Sequence, residues 1–130
     1  MNAAQTKRTI DAFTRAYIET ALWSSNDESD ERGGEPMDAN YSVDDLSDEA
    51  IERMARDCTR FRELAGENIH GLDETTVAHD FWLTRNGHGA GFWDGDYEQT
   101  LGDDLTRLSE TFGACWLGVG DDGTIYHYPA

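Results

Sequence analysis

The chain has 130 residues and sets 27 acidic side chains against 10 basic ones, a formal net charge of −17. Nucleic acid and anionic membranes, which demand a basic face, are thereby excluded as direct partners. The apolar share of 38% includes 4 Trp, 5 Tyr and 5 Phe, enough for a single cored domain over residues 1–130. No apolar run approaches the roughly 18 residues of a membrane span, and the N-terminus leads into an amphipathic helix rather than a signal peptide. The cytoplasm is therefore the expected location, with no membrane partner.

A first helix is expected over residues 6–23, where Ile10, Phe13, Tyr17 and Ala21 recur on one face and Ile18 and Leu22 widen it. Its early bases, Lys7, Arg8 and Arg15, oppose the helix dipole, so packing must hold it. From Ser24 to Tyr41 the periodicity vanishes, and an acidic loop is expected over 24–41. The next helix is well marked. Ser47 is its N-cap, Asp48 and Glu49 lie in its first turn, and Leu46 and Ile51 are placed for a hydrophobic staple. Ile51, Met54, Cys58, Phe61 and Ala65 form its buried stripe and Gly66 ends it. Arg53, Arg56, Arg60 and Arg62 gather four of the 10 bases here, available to pair with the acidic loop.

Residues 67–78 read as an irregular approach with a short helical turn at 74–78. The run from His79 to Asp94 then places two aromatic stretches around a glycine-rich centre. It reads as a hairpin, with strands at 81–86 and 91–94 and the reversal at 86–89, Gly87 and Gly89 supplying positive φ. A third helix over 102–112 presents Leu101, Leu105, Leu108 and Phe112, and Gly113 ends it. The tail forms a second hairpin, 115–119 and 124–128, around the turn Asp121-Asp122-Gly123. The expected fold class is α+β: about three helices packed on an antiparallel sheet of about four strands. Cys58 and Cys115 fit buried, reduced thiols better than a disulfide framework.

Catalytic chemistry finds little footing. The adjacent pair His79-Asp80 suits a metal only within a larger helical scaffold with further ligands, which this chain lacks. Asp94-x-Asp96-x-Glu98 opens like a calcium loop, but Gln99 and Leu105 stand where glycine and glutamate are needed. There is no G-x-S-x-G elbow and no phosphate-cradling loop. Neither cysteine sits where a thiolate would be activated. The expectation is a non-enzyme with no metal and no cofactor.

The residues His79, Asp80, Trp82, Arg85, Asn86, Gly87, His88, Gly89 and Trp93 belong to a run that resembles a family of small bacteriophage and mobile-element proteins, mostly without assigned function. The shared text is the run His79 to Asp94, followed by Leu101 to Thr106 and by Val119-Gly120-Asp121-Asp122-Gly123-x-Ile125-Tyr126. It covers roughly residues 76–126 and departs at Gly95, where arginine is expected. The resemblance implies phage origin and carries over no catalytic residue.

Phage origin and acidity together suggest a small protein that binds and inhibits a basic host protein, one that defends the cell or handles DNA, in the anti-CRISPR or anti-restriction manner. Its carboxylates would imitate duplex DNA. The candidate contact residues are Asp27, Glu28, Asp30, Glu31, Asp44, Asp45, Asp48, Glu49, Asp94, Asp96 and Glu98. Two alternatives stay open. One is a small metal-dependent enzyme. The other is an accessory or structural phage protein whose acidity only serves solubility or a salt-loving host, a pattern to which the single lysine, Lys7, also belongs.

Overall fold

The computed structural model describes residues 10–27, 34–88, 90–94 and 97–129. Among them the order of elements is α1 (Ala12–Ser24), β1 (Asn26–Asp27), β2 (Glu35–Pro36), α2 (Asp48–Ala65), α3 (Glu74–Arg85), α4 (Gln99–Glu110), β3 (Cys115–Val119) and β4 (Ile125–Pro129). The class is α+β, but the strands form two separate two-stranded antiparallel sheets, β1–β2 and β3–β4, instead of one four-stranded sheet. The expected 24–41 loop holds the short β1–β2 ribbon and a 3-10 turn at Met37–Ala39.

The first two helices follow their sequence signals. Asp11 caps α1 by accepting from Thr14 N at 2.8 Å, and Phe13, Tyr17, Ile18, Ala21 and Leu22 are buried along it. The part of the expected first helix before residue 10, with Lys7 and Arg8, lies outside the described residues. Ser47 caps α2 by accepting from Ala50 N at 3.0 Å, and Ile51, Met54, Cys58, Phe61 and Ala65 are buried as expected. Among the described residues Arg53 pairs with Glu49 and Arg62 with Asp11, outside the acidic 24–41 segment.

The expected hairpin at 81–94 is overturned. Residues 74–85 are helical, and Asn86-Gly87 ends that helix. Gly87 N donates to Thr84 O (3.2 Å) and His88 N to Leu83 O (3.0 Å), while Gly87 takes φ +70°. This is the paired 5→2 and 6→1 closure of a Schellman cap, which needs the same left-handed glycine as a tight hairpin. The aromatic run misled for a second reason. Val77, Ala78, Asp80, Phe81, Trp82, Leu83, Thr84 and Arg85 are all buried, so α3 is covered nearly all round and shows no 3.6-residue stripe.

Helix α3 is the centre of the molecule. It packs on α1 and α4. Phe81 stacks on Phe61 of α2 with ring centroids 4.1 Å apart, on Tyr17 of α1 at 5.2 Å, and meets Phe112 edge-on at 5.0 Å. Offset and edge contacts of this kind add about 0.5–1.5 kcal/mol each beyond the area they bury. The β3–β4 hairpin lies on α2 and is tied at its side to the segment before that helix: Ser47 N donates to Ile125 O at 2.9 Å. The tail hairpin thus has the expected position in the chain, with Cys115 opposite Pro129 and Val119 opposite Ile125. Cys58 and Cys115 are free and buried. Among the described residues no helix is long and apolar enough to cross a membrane.

Candidate protein-binding surface

Most of the run from His79 to Asp94 is internal wiring. Arg85 is buried and donates to Tyr17 Oη (2.9 Å), Asp57 Oδ2 (2.8 Å), Phe112 O (3.0 Å) and Gly113 O (2.8 Å). It thereby joins α1, α2 and the end of α4. Burial works against its charge, but Tyr17, Cys115 and Asp57 outweigh that and hold its pKa above the ordinary value. Asn86 donates to Trp82 O at 3.0 Å and accepts from Cys115 N at 2.8 Å, fastening the end of α3 to the start of β3. Trp82 donates through Nε1 to Ser24 Oγ at 2.8 Å.

Asp80 accepts from Tyr97 Oη at 2.5 Å and lies 3.2 Å from His79 Nδ1, while the His79 ring stacks on Trp23. Among the described residues, no group of three or more His, Cys, Asp or Glu is placed to hold a metal ion. In that run Gly87, His88 and Trp93 are exposed, and His79 and Asn86 are half-buried. Gly89 lies outside the described residues.

The acidic candidates divide. Asp44, Asp45 and Asp48 are brought together with Asp122, from the β3–β4 turn, around one depression of about 370 Å³. Local sequence explains their display. Val43 and Leu46 are buried and anchor the segment, leaving Asp44 exposed and Asp45 and Asp48 half-buried. Asp45 and Ser42 form a capping box around the 3-10 turn at Val43–Asp45, with Ser42 N donating to Asp45 Oδ2 at 2.9 Å. Asp48 Oδ1 is shut off from solvent and makes no hydrogen bond among the described residues. Asp122 accepts from Tyr126 Oη (2.7 Å) and Thr124 N (3.0 Å), and these two donors hold its carboxyl below its ordinary pKa.

The remaining acids lie elsewhere. Glu49 lines an adjoining depression of about 260 Å³ with Arg53, Tyr126 and Tyr128, and is paired with Arg53. Asp27 lies on the β1–β2 ribbon. Asp94 closes its own loop by accepting from Gly91 N at 3.3 Å, and Glu98 caps α4 by accepting from Thr100 N and Leu101 N. Glu28, Asp30, Glu31 and Asp96 fall outside the described residues.

Larger depressions elsewhere on the described surface are mixed in charge. One of about 610 Å³ is lined by Arg56 and Arg60 as well as Glu52 and Glu63, and one of about 450 Å³ by Arg15 beside Glu19, Asp38 and Asp44. The 44–48 and 122 surface is lined by carboxylates, hydroxyl groups, Leu46 and Gly123, with no base among its described lining residues. It can attract a cation through several ionised oxygens at once, and it offers no nucleophile or base poised on another group. Asp122 was legible in the sequence only as a turn residue; its place beside Asp44 depends on the contact between Ser47 and Ile125, far apart along the chain.

No protein-family model, no curated protein and no solved structure matches the chain.

Proposed function

We propose that this chain is a phage-encoded acidic binding protein that inhibits a basic host protein, one that defends the cell or handles DNA, by occupying the groove built for nucleic acid. The observation that carries this reading is the gathering of Asp44, Asp45, Asp48 and Asp122 on one surface from two distant segments, without a base among the described lining residues. Four like charges so placed repel one another, which is tolerable in solvent and becomes favourable against an Arg/Lys groove. Phage origin comes from the resemblance of the 79–94 run, and the cytoplasm of the host from that origin together with the absence of an apolar span in the sequence. No catalytic step is part of the proposal.

The test is capture from host lysate by the immobilised protein at low and high salt. A basic nucleic-acid-binding protein should be retained at low salt and released as screening shortens below about 8 Å. Reversing Asp44, Asp45, Asp48 and Asp122 to Lys should abolish capture by the fraction that circular dichroism shows to be folded, a correction needed because Asp45 caps the 3-10 turn and Asp122 holds the β3–β4 turn. If the reversed protein still captures the same partner, or its only change is in solubility, the inhibitor reading fails.

A further inference from the structure

The outer face of the β3–β4 hairpin continues this acidic surface with aromatic rings. Strand alternation turns Cys115 and Leu117 to the core and Trp116, Gly118 and Gly120 outward, and the register sets Trp116 opposite Tyr128 and Gly118 opposite Tyr126. Trp116 and Tyr128 stack with centroids 4.3 Å apart and planes 21° from parallel, yet they are 52% and 40% exposed. Both rings lean over Gly118, where a Cβ would stand 2.9 Å from Trp116 Cζ3 and 3.2 Å from Tyr128 Cε2. Tyr126 lies over Gly120 in the same way, 2.6 Å from the place of a Cβ, and its hydroxyl reaches Asp122.

Neither glycine has a left-handed backbone, so what each provides is room for a ring. One strip therefore runs from the Trp116–Tyr128 pair through Tyr126 to Asp122 and the carboxylates beyond it. Arg53, a base beside this strip, is engaged by Glu49 and by His127 O.

We infer that the Trp116–Tyr128 pair is the anchor of the interface and receives the guanidinium of an arginine on a cationic segment of the protein partner. The inference rests on the cationic-partner reading above and names the side chain that partner must bring. A planar, weakly hydrated guanidinium stacks on aromatic rings, whereas an ammonium keeps its water. Exposed Trp and Tyr are among the residue types that most often carry binding energy in interfaces. The neighbouring Asp44, Asp45, Asp48 and Asp122 complement further bases on the same segment and repel a nucleic-acid phosphate or a second copy of this acidic chain.

The probes are fluorescein-labelled nona-arginine and nona-lysine peptides and a dT20 oligonucleotide. Each is titrated at low salt against the wild type, Trp116→Ala, Tyr128→Ala, Gly118→Ala and the four-aspartate reversal. Arginine peptide should bind about 2- to 5-fold tighter than lysine peptide, and Trp116→Ala should remove that preference while lysine binding stays unchanged. Gly118→Ala, which crowds the rings without touching a charge, should lower arginine binding in the same direction. The pair is exposed, so circular dichroism and Tm should hold in all three ring variants.

Equal affinity for the two peptides, or an unchanged preference in Trp116→Ala, overturns the inference and leaves the cationic-partner reading standing. Failure of both peptides refutes that reading, and the inference falls with it. Tighter binding of dT20, or a dimer in sedimentation that Trp116→Ala dissolves, assigns the face to another occupant and likewise overturns the inference.

Discussion

Arg85 offers the sharpest separation of structure from recognition. Replacing it by alanine removes four hydrogen bonds from a side chain only 4% exposed and leaves Tyr17 Oη, Asp57 and the carbonyls of Phe112 and Gly113 without their donor. Each hydrogen bond to a charged group contributes about 1.5–3 kcal/mol. Summing four would overstate the loss, because one side chain makes them all. The better measure is the loss of one partner from a buried pair, about 3–5 kcal/mol. Asp57 is 29% exposed and keeps part of its hydration, which moves the expectation to about 3–4 kcal/mol.

For a chain of 130 residues that corresponds to a fall in Tm of about 11–15 °C. Urea unfolding followed by far-UV circular dichroism measures it directly. Arg85→Lys keeps the charge but loses the planar fork, and should recover less than half of the loss. Capture of a cationic partner, corrected for the folded fraction, should be unchanged in both. A loss below about 1 kcal/mol, or an intact fold with abolished capture, would refute the assignment of Arg85 as a structural tie.

Two more perturbations test the fold around it. Gly87→Ala should cost about 1–2 kcal/mol through its left-handed backbone, and Gly91→Ala should cost more, because a Cβ there would meet Thr84 Oγ1 at 2.2 Å; equal, small losses by urea titration would argue against the loop geometry. Burial, aided by Arg85 and Arg53 and opposed by Asp57, holds the His127 pKa below its ordinary value. The unfolded chain therefore binds this proton first, and wild-type stability should fall relative to His127→Gln as pH drops below about 6.5; parallel stability profiles between about pH 5 and 8 would contradict it.

Where one face of an element is buried, the sequence was a faithful guide. The α2 stripe, its Ser47 cap and its Gly66 stop all stand where spacing puts them, because a half-buried helix must show its period. The β3–β4 hairpin was equally legible, since alternation and the Asp121-Asp122-Gly123 turn agree. Helix α3 was not. A helix buried nearly all round carries no period, its aromatic run has strand propensity, and Asn-Gly serves a Schellman cap as readily as a hairpin. Tertiary burial overrode the strand propensity of the aromatic run, and the feature that decides the matter, the covering of Phe81 by Phe61, Tyr17 and Phe112, joins residues 20 to 64 positions apart.

That correction also changes what the run from His79 to Asp94 can say about function. Read as an exposed hairpin, Arg85, Asn86 and His88 would be recognition groups at a turn. Read as a buried helix and its cap, Trp82, Arg85 and Asn86 hold α1, α2, α4 and β3 in place, and their chemistry is spent on the fold rather than on a binding site. The binding chemistry then has to come from residues that the fold does not use. Trp116 and Tyr128 are two such residues, exposed on a strand face whose two glycines make room for rings, and beside them stand carboxylates that the folding of segment 42–48 against β4 brings to Asp122. Substitutions in the two sets should therefore separate cleanly. Those at Trp82, Arg85 and Asn86 lower stability and leave the affinity of the folded fraction alone, and those at Trp116 and Tyr128 do the reverse.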